Sequence, residues 1–597
     1  MLNRLITEIN ISIREKSTAI FCGAGISYNS GLPLATDLVK SILEIIDIND
    51  NDASAILNSN IPFEFFIETI RNEVSVDEIL DVFSKGNPNI NHELIAELIK
   101  LGFIKTVLTT NFDLLIEKAL LCKGLEKGKH FDVFSSEEEF GNINWADNKI
   151  KIIKIHGCIS NKSEMAITLD DVASKTVCVN RNSIIKNFFS DKINPNILVL
   201  GYSCSDLFDI SPQIELLKEN RSVVFFIQHT GKEYNFKIED ISVENLKNPF
   251  KSFSGQRITI NSDYLVKKIW ETFVTKPYQL ESFSTTWIEN VKNWLIQAVI
   301  SNSIGVKHHI SARLYYNIGE YDYAIKHLEK GINIAQKERS LITFYSELGN
   351  LGMAFNALGR YEEAKHCLEE STKACHDIGN LQGEIAQLQS LGNVYRNLGD
   401  FDSAVTVYKN AVAVAKKEDL DGLCSSLGNL ASIFTQKEQP DEAIKCLENG
   451  LELARHIGNK QSEGSMLCSL GIAYSQKGNN TKATQLIQES IYITRLIGDR
   501  QGECMSLFNL SNIDLINDDY DSCLNNATSS LLIAKSINIK QSEGNAFYNI
   551  GSAYYFMGDS NAAIQNLKKA IEIFTEIYGI EHRQTQAAII SLFRAEN

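Results

Sequence analysis

The feature that most constrains this 597-residue chain is a regular recurrence of small side chains in its second half. A small residue returns every 40 residues, with one step of 39, at Ala324, Ala364, Ala404, Ala443, Ala483, Cys523 and Ala563. Nine residues before these positions stand Tyr315, Phe355, Tyr395, Phe434, Tyr474, Asp514 and Tyr554, which are aromatic in all units but one. Small residues where helices approach, and aromatic residues wedged between them, predict repeating units of two packed helices.

This pattern resembles tetratricopeptide repeats in a forty-residue form. Glycines at 359, 399, 478 and 558 mark the turn inside four of the units. We therefore expect residues 305–597 to form an all-α solenoid of about seven repeats with a C-terminal capping helix. A concave solenoid face can bind a peptide or protein, although repeats alone do not define a function. Asp514 and Cys523 make the sixth unit the least regular.

Charge and cysteine usage exclude several classes of protein. The formal net charge of −16 argues against non-specific binding to nucleic acid or an anionic membrane. The sequence shows no signal-peptide pattern and no apolar run near the ~20 residues of a membrane span, so we expect a cytoplasmic protein. None of the 12 cysteines forms a Cys-x-x-Cys pair, so we predict no zinc site and no other metal site.

The first half contains apolar runs that each end in a small or polar residue. Five such runs are Thr18–Cys22, 104–110, 149–155, 196–200 and 223–227, and helical patterns lie between most of them. Alternating strands and helices predict an α/β, Rossmann-like parallel sheet, which we assign to residues 1–280. Residues 281–304 are assigned to a helical linker. In parallel sheets ligands bind beyond the carboxyl ends of the strands, so the residues after these runs should converge on one crevice.

The first of these runs leads into Gly23-Ala24-Gly25 and then, after Pro33, into a helical pattern. Strand, glycine turn and helix together can direct backbone N–H groups at a phosphate. The dinucleotide fingerprint is incomplete, because Tyr28 stands where its third glycine belongs. A tight strand-to-helix turn without a ligand is the alternative interpretation of this stretch.

Five motifs together resemble the NAD-binding motifs of sirtuins. They are Gly-Ala-Gly-Ile-Ser at 23–27, Ser-Gly-Leu-Pro at 30–33, Thr-Thr-Asn-Phe-Asp at 109–113, His-Gly at 156–157 and Gly-Tyr-Ser at 201–203. The cysteine pairs of the sirtuin zinc module are missing, which argues against protein deacylation. In this respect the chain looks more like the sirtuin-like domains of bacterial anti-phage defence proteins, which hydrolyse NAD.

The resemblance and the residue chemistry together assign roles. His156 accepts a proton from water or a ribose hydroxyl, Asn111 holds the water or ribose, and Asp113 binds the carboxamide and favours the developing cation. The residues expected to bind NAD are Gly23, Ala24, Gly25 and Ser27 at the pyrophosphate, Gly201 and Ser203 at the adenosine half, and also Pro33 and Thr110. Two purely structural alternatives remain. Asn111 and Asp113 can simply cap the next helix, and His156 can simply end its strand.

Three functions remain open at this point. The first is an NAD hydrolase of anti-phage defence, an abortive-infection effector restrained until its repeats sense a partner such as a phage component. The second is an NAD-dependent deacylase or ADP-ribosyltransferase whose repeats present the protein substrate. The third is a non-catalytic sensor of NAD or ADP-ribose. By resemblance we also expect a homo-oligomer.

Overall fold

The computed structural model describes residues 2–596 except 47, 49–52, 55, 58–62, 72–74, 169–170, 173–177, 205–209, 216, 218–220, 231–235, 244–247, 279–286, 303–304, 417–418 and 538. The chain divides into two compact units, Met1–Leu314 and Tyr315–Asn597. The domain boundaries at 280 and 305 remain predictions.

The first unit is built on an eight-stranded sheet in the order β3-β4-β2-β1-β5-β6-β8-β7. Every neighbouring pair is parallel except β7 and β8. The strands are β1 Thr18–Cys22, β2 Thr106–Thr109, β3 Phe131–Phe134, β4 Ile150–Lys154, β5 Asn196–Leu200, β6 Val223–His229, β7 Lys237–Asp240 and β8 Ser254–Ile260. The predicted parallel sheet is thus confirmed over the five runs, and β3, β8 and the antiparallel β7 extend it.

Helices precede, connect and follow these strands in the chain. They are α1 Leu2–Arg14, α2 Ala35–Ile45, α3 Phe63–Arg71, α4 Asp77–Leu80, α5 Ile90–Lys100, α6 Leu115–Cys122, α7 Glu137–Gly141, α8 Val179–Phe188, α9 Ile210–Glu215, α10 Ser262–Phe273, α11 Trp287–Asn302 and α12 Gly305–Asn317. Short 3₁₀ helices span Ala24–Ser27, Asp81–Ser84 and Lys162–Glu164.

Alternate residues of β1 enter different apolar cores. Ile20 and Cys22 join one buried cluster together with residues of α1, α5 and α10, whereas Ala19 and Phe21 join a second cluster with residues of α8 and α9. A central parallel strand is buried on both faces in this way, which explains why β1 is a continuous apolar run.

Two local features add to the sequence-based expectation. The glycine turn leads into the 3₁₀ helix Ala24–Ser27, and α2 then begins at Ala35, in agreement with the helical pattern expected after Pro33. The stretch predicted as a linker overlaps α11, which packs against α2 inside the first unit. The indole N–H of Trp294 in α11 donates to the carbonyl of Ser75 at 3.0 Å.

The second unit consists of consecutive antiparallel helices, and the predicted all-α solenoid is confirmed. They are α13 Tyr321–Glu338, α14 Leu341–Ala357, α15 Tyr361–Asp377, α16 Leu381–Asn397, α17 Phe401–Ala415, α18 Leu420–Gln436, α19 Pro440–Ile457, α20 Lys460–Gln476, α21 Asn480–Leu496, α22 Arg500–Ile516, α23 Tyr520–Ser536, α24 Lys540–Phe556, α25 Ser560–Tyr578 and α26 Arg583–Glu596. The recurring small residues are buried where helices approach. A Cβ added at Gly392 would lie 2.6 Å from the ring of Tyr408.

The turn between the two helices of a unit needs a left-handed residue. Gly359 has φ 75° and Gly558 has φ 85°, as glycine readily does. At the equivalent places of two other units the chain keeps the same conformation without glycine, with φ 55° at Glu438 and φ 60° at Asp518. Among the described helices, none is long and apolar enough to cross a membrane.

Candidate active site

A pocket opens at the carboxyl ends of β1 and β2, and six of the eleven predicted site residues line it. The space between its walls, including the open mouth, is about 500 Å³. The lining residues are Ala24, Ser27, Leu32, Pro33, Ala35, Phe63, Phe83, Thr110, Asn111, Phe112 and Asp113. β1 lies between β2 and β5, where the strand order reverses, which is where open α/β sheets bind ligands.

The loop Gly23–Gly25 packs against the loop at Gly201. This close approach explains why Gly25 and Gly201 must be glycine. A Cβ added at Gly25 would lie 2.8 Å from Gly201 Cα, and one added at Gly201 would lie 2.4 Å from the nitrogen of Ile26. The N–H of Gly23 donates to Leu200 O at 3.1 Å, and the N–H of Gly25 donates to Gly201 O at 2.9 Å. In this conformation those two N–H groups are therefore engaged within the protein. Of the predicted pyrophosphate cradle, Ala24 and Ser27 face the pocket.

A buried hydrogen-bond network links the loops that follow β1 and β2. Ser27 Oγ donates to Asp113 Oδ2 at 2.8 Å, and Asn111 Nδ2 donates to Ser27 Oγ at 3.1 Å. Asn111 Nδ2 also lies 3.3 Å from Asp113 Oδ2, and Asp113 Oδ1 accepts from the N–H of Leu115 at 2.9 Å. Asp113 thus binds the first N–H of α6, whose N-cap residue is Leu114, and it also orients Asn111 and Ser27.

Asn111 carries a buried acceptor that the described protein groups leave unpaired. The residue is 6% exposed, and its Oδ1 has no hydrogen-bond partner within the described part of the chain. A buried carbonyl oxygen without a partner is costly, so such an atom in a pocket wall points to a ligand or water that supplies a donor.

His156 lies next to this pocket without lining it. It follows β4, the strand adjacent to β2, and is 8% exposed. Its ring centroid is 6.2 Å from that of Phe112, a residue of the pocket wall. Gly157, with φ 92°, turns the chain so that the carbonyl of His156 accepts from the N–H of Ala166 at 2.8 Å.

The predicted adenosine-side residues are placed apart from the pocket wall. Gly201 closes against the first glycine loop, as described, and Ser203 is exposed. Between them Tyr202 is buried, with its ring centroid 4.6 Å from that of Phe21 and its hydroxyl 2.8 Å from Ser211 Oγ.

Sequence reasoning missed His92, which the fold brings into the network. His92 is fully buried in α5, with Nε2 3.3 Å from Ser27 Oγ and Nδ1 2.8 Å from Asn89 Oδ1. Burial lowers the pKa of His92 to about 4, although the charge of Asp113 opposes this shift. The imidazole is therefore neutral at pH 7. The stretch Asn89-Ile-Asn-His92 before an apolar helix carried the signal, because it places a capping residue and its partner three positions apart.

The aromatic part of the pocket wall was also missed. Phe63 of α3 and Phe83 of the second 3₁₀ helix join Phe112 in the lining, and the rings of Phe83 and Phe112 are 6.0 Å apart. Their sequence neighbourhoods contain only ordinary apolar patterns, so only the fold identifies them.

Two cysteines near the site behave as packing residues. Burial raises the pKa of Cys22 to about 12, and its thiol lies 3.6 Å from the carbonyl of Leu108. Cys158 is 2% exposed and accepts a hydrogen bond from Ser160. Within the described residues, no group of three or more His, Cys, Asp and Glu side chains is placed to hold a metal ion.

Models of two known protein families match separate stretches of the chain. Residues 105–232 match the model of the SIR2-like domain. Residues 340–417, 384–456, 422–495 and 544–575 match models of the tetratricopeptide repeat. The chain therefore joins a SIR2-like domain to tetratricopeptide repeats.

Two curated relatives resemble the first part of the chain. One is the NAD(+) hydrolase ThsA of Cytobacillus dafuensis, 29% identical over 203 residues, which are 34% of this chain and 38% of that protein. The other is the NAD(+) hydrolase ThsA of Bacillus cereus (strain MSX-D12), 28% identical over 207 residues, which are 34% of this chain and 40% of that protein. The chain thus spans about two fifths of the length of these relatives. Among solved structures, BtubC (BKLC) from P. vanneervenii covers 37% of this chain and 94% of its own, with 19% identity and a TM-score of 0.33.

Proposed function

We propose that this protein hydrolyses NAD at the pocket beyond β1 and β2, releasing nicotinamide and ADP-ribose. The observation that carries the proposal is the buried Oδ1 of Asn111 in the pocket wall, which has no partner among the described residues while Ser27 and Asp113 hold the amide. The ThsA relatives, which are named NAD(+) hydrolases, support the same reaction.

The reaction breaks the bond between the nicotinamide nitrogen and the ribose, and water supplies the oxygen that replaces it. Positive charge develops on the ribose while neutral nicotinamide leaves. Asn111 Oδ1 accepts a hydrogen bond from the attacking water or from a ribose hydroxyl, and so holds it near the reacting carbon. His156 accepts the proton that the water loses.

Asp113 contributes a negative charge close to the developing cation. Both of its carboxylate oxygens already accept hydrogen bonds from Ser27, Asn111 and Leu115. A carboxylate has about four acceptor positions, so one contact to the carboxamide of nicotinamide is compatible with this network. The rings of Phe63, Phe83 and Phe112 give the flat nicotinamide an apolar surface.

The test is to incubate the purified full chain with NAD and to separate nicotinamide, ADP-ribose and cyclic ADP-ribose by chromatography. We expect nicotinamide and linear ADP-ribose without any added acceptor. Release that requires an acyl-lysine peptide would instead indicate a deacylase, and transfer to protein an ADP-ribosyltransferase. Tight NAD binding in calorimetry without turnover would indicate a sensor.

We further propose that the repeats control this activity in anti-phage defence, with a protein partner, such as a phage component, as the trigger. The support is the combination of a SIR2-like domain with a solenoid of the kind that binds peptides and proteins. In cells carrying the chain, NAD should fall after infection by a phage that supplies the trigger. The Asn111→Ala variant should leave NAD unchanged under the same infection. Unchanged NAD in wild-type cells across a broad phage panel would contradict this role.

A further inference from the structure

Lys154 is a buried cation beside the proposed catalytic residues. It is the last residue of β4, two positions before His156, and is 1% exposed. Lysine is almost never fully buried unless its charge is paired, because removing an ammonium from water costs several kcal/mol. The charge of Lys154 must therefore be paired within the protein.

The ammonium of Lys154 connects two other segments of the site. Its Nζ forms an ion pair with Glu117 Oε1 of α6 at 3.0 Å. The same Nζ donates a hydrogen bond to the backbone carbonyl of Asp113. Burial alone would lower the pKa of Lys154, but the charges of Glu117 and Asp113 raise it above its ordinary value overall, so the side chain stays charged.

Backbone hydrogen bonds hold only part of the loop after β2 against the loop after β4. The N–H of Ile155 donates to Thr109 O at 3.0 Å, and the N–H of Ile159 donates to Phe112 O at 3.0 Å. The next carbonyl, that of Asp113, is held by the side chain of Lys154. Asp113 is also the residue whose carboxylate orients Asn111 and Ser27.

We propose that Lys154 is a positioning residue, which fixes the Asn111–Asp113 loop against the strand that carries His156. This inference rests on the proposed NAD hydrolysis, because it concerns the alignment of the two groups assigned to that reaction. Lys154 does not line the pocket, so it acts through Asp113 and not on the substrate. A displacement of about 1 Å in such a loop can lower the rate about 100-fold.

The experiment compares three full-length proteins. In Lys154→Met/Glu117→Met both charges are replaced by apolar side chains of similar length, which is often neutral for stability. The matched control Glu117→Gln removes the negative charge but keeps the Lys154 amine, which can donate to the carbonyl of Asp113 whether or not it is charged. Wild type is the reference. Each is assayed for kcat and KM with NAD and for its melting temperature.

We expect the double variant to remain folded, with kcat reduced about 10- to 100-fold and KM changed by less than about threefold. Glu117→Gln should keep kcat within about threefold of wild type. If the double variant does not fold, Lys154→Gln/Glu117→Gln replaces it under the same criterion, since its amide is one atom too short to reach the same place.

A folded double variant with wild-type kcat would overturn the proposal. So would an equal loss of kcat in Glu117→Gln, because the ion pair and not the bond to Asp113 would then matter. If wild type itself releases no nicotinamide, the result contradicts the proposed NAD hydrolysis. The two outcomes above, in contrast, contradict only the positioning role of Lys154.

Discussion

Ser27 and Asp113 are joined by a buried hydrogen bond of 2.8 Å between Oγ and Oδ2, although 86 residues separate them in the chain. The bond connects the turn after β1 to the turn after β2, and Asn111 binds to both partners. The candidate site is therefore one polar unit held between two strand ends.

Removing the hydroxyl of Ser27 should disturb this unit. In Ser27→Ala the buried Nδ2 of Asn111 loses an acceptor, so we expect the first unit to be destabilised by about 1–3 kcal/mol. Nicotinamide release should fall about tenfold or more. Urea unfolding followed by tryptophan fluorescence reports on the first unit, because all four tryptophans lie between residues 145 and 294.

Ser30→Ala is the matched control for that measurement. Ser30 is fully buried, and its Oγ has no hydrogen-bond partner in the described part of the structure. Its removal should leave stability unchanged or increased and should leave turnover unchanged. Equal losses in both variants would contradict the assigned role of Ser27.

His92 should make the first unit sensitive to acid. Its pKa is about 4 in the folded state and about 6.5 when exposed, so the folded state favours the neutral ring. This contribution is complete above pH ~6.5 and is lost as the pH falls toward ~4, on the order of 3 kcal/mol in total. Between pH 7 and pH 4.5 the free energy of unfolding of His92→Gln should therefore fall less than that of wild type, as measured by unfolding in urea. The same pH dependence in both proteins would contradict it.

Cys22 should not react with thiol reagents in the folded protein. Its pKa of about 12 and complete burial keep it protonated and inaccessible, whereas Cys122 is exposed. After treatment with iodoacetamide at pH 8, peptide mapping should show alkylation at Cys122 and none at Cys22. Rapid alkylation of Cys22 with loss of turnover would indicate a thiolate in the mechanism.

Asp514 should weaken the sixth repeat at neutral pH. It stands where other units have an aromatic residue, and burial raises its pKa although Asn526 donates to it at 2.7 Å. The folded state therefore favours the protonated acid, and stability is lost as the pH rises through the folded-state pKa. Asp514→Asn should raise the melting temperature of the second unit at pH 7, followed by circular dichroism, whereas the exposed Asp521→Asn should not. An unchanged melting temperature would contradict this explanation.

Local patterns were sufficient to predict much of the architecture. The strand at Thr18–Cys22 and the forty-residue units follow from burial and from helix spacing, which are properties of adjacent or regularly spaced residues. Local patterns did not predict β3 at Phe131–Phe134, a short edge strand whose four residues carry little signal. They also missed α1, whose amphipathic pattern is clear once examined.

The candidate site was less accessible to sequence reasoning because its parts meet only after folding. Motifs indicated Asn111 and Asp113, but nothing in the sequence shows that Asp113 binds Ser27 or that His92 completes the network. Lys154 is one of three lysines in the run 149–155, and its burial follows from the position of β4 between β3 and β2. Contacts between distant loops require the fold.

The most direct test of the account measures nicotinamide release and NAD binding together, in wild type, Asn111→Ala and His156→Ala. If the two loops after β2 and β4 form the catalytic site, both variants should bind NAD in calorimetry while nicotinamide release falls at least about 100-fold. Turnover at the wild-type rate in both variants would contradict the central claim.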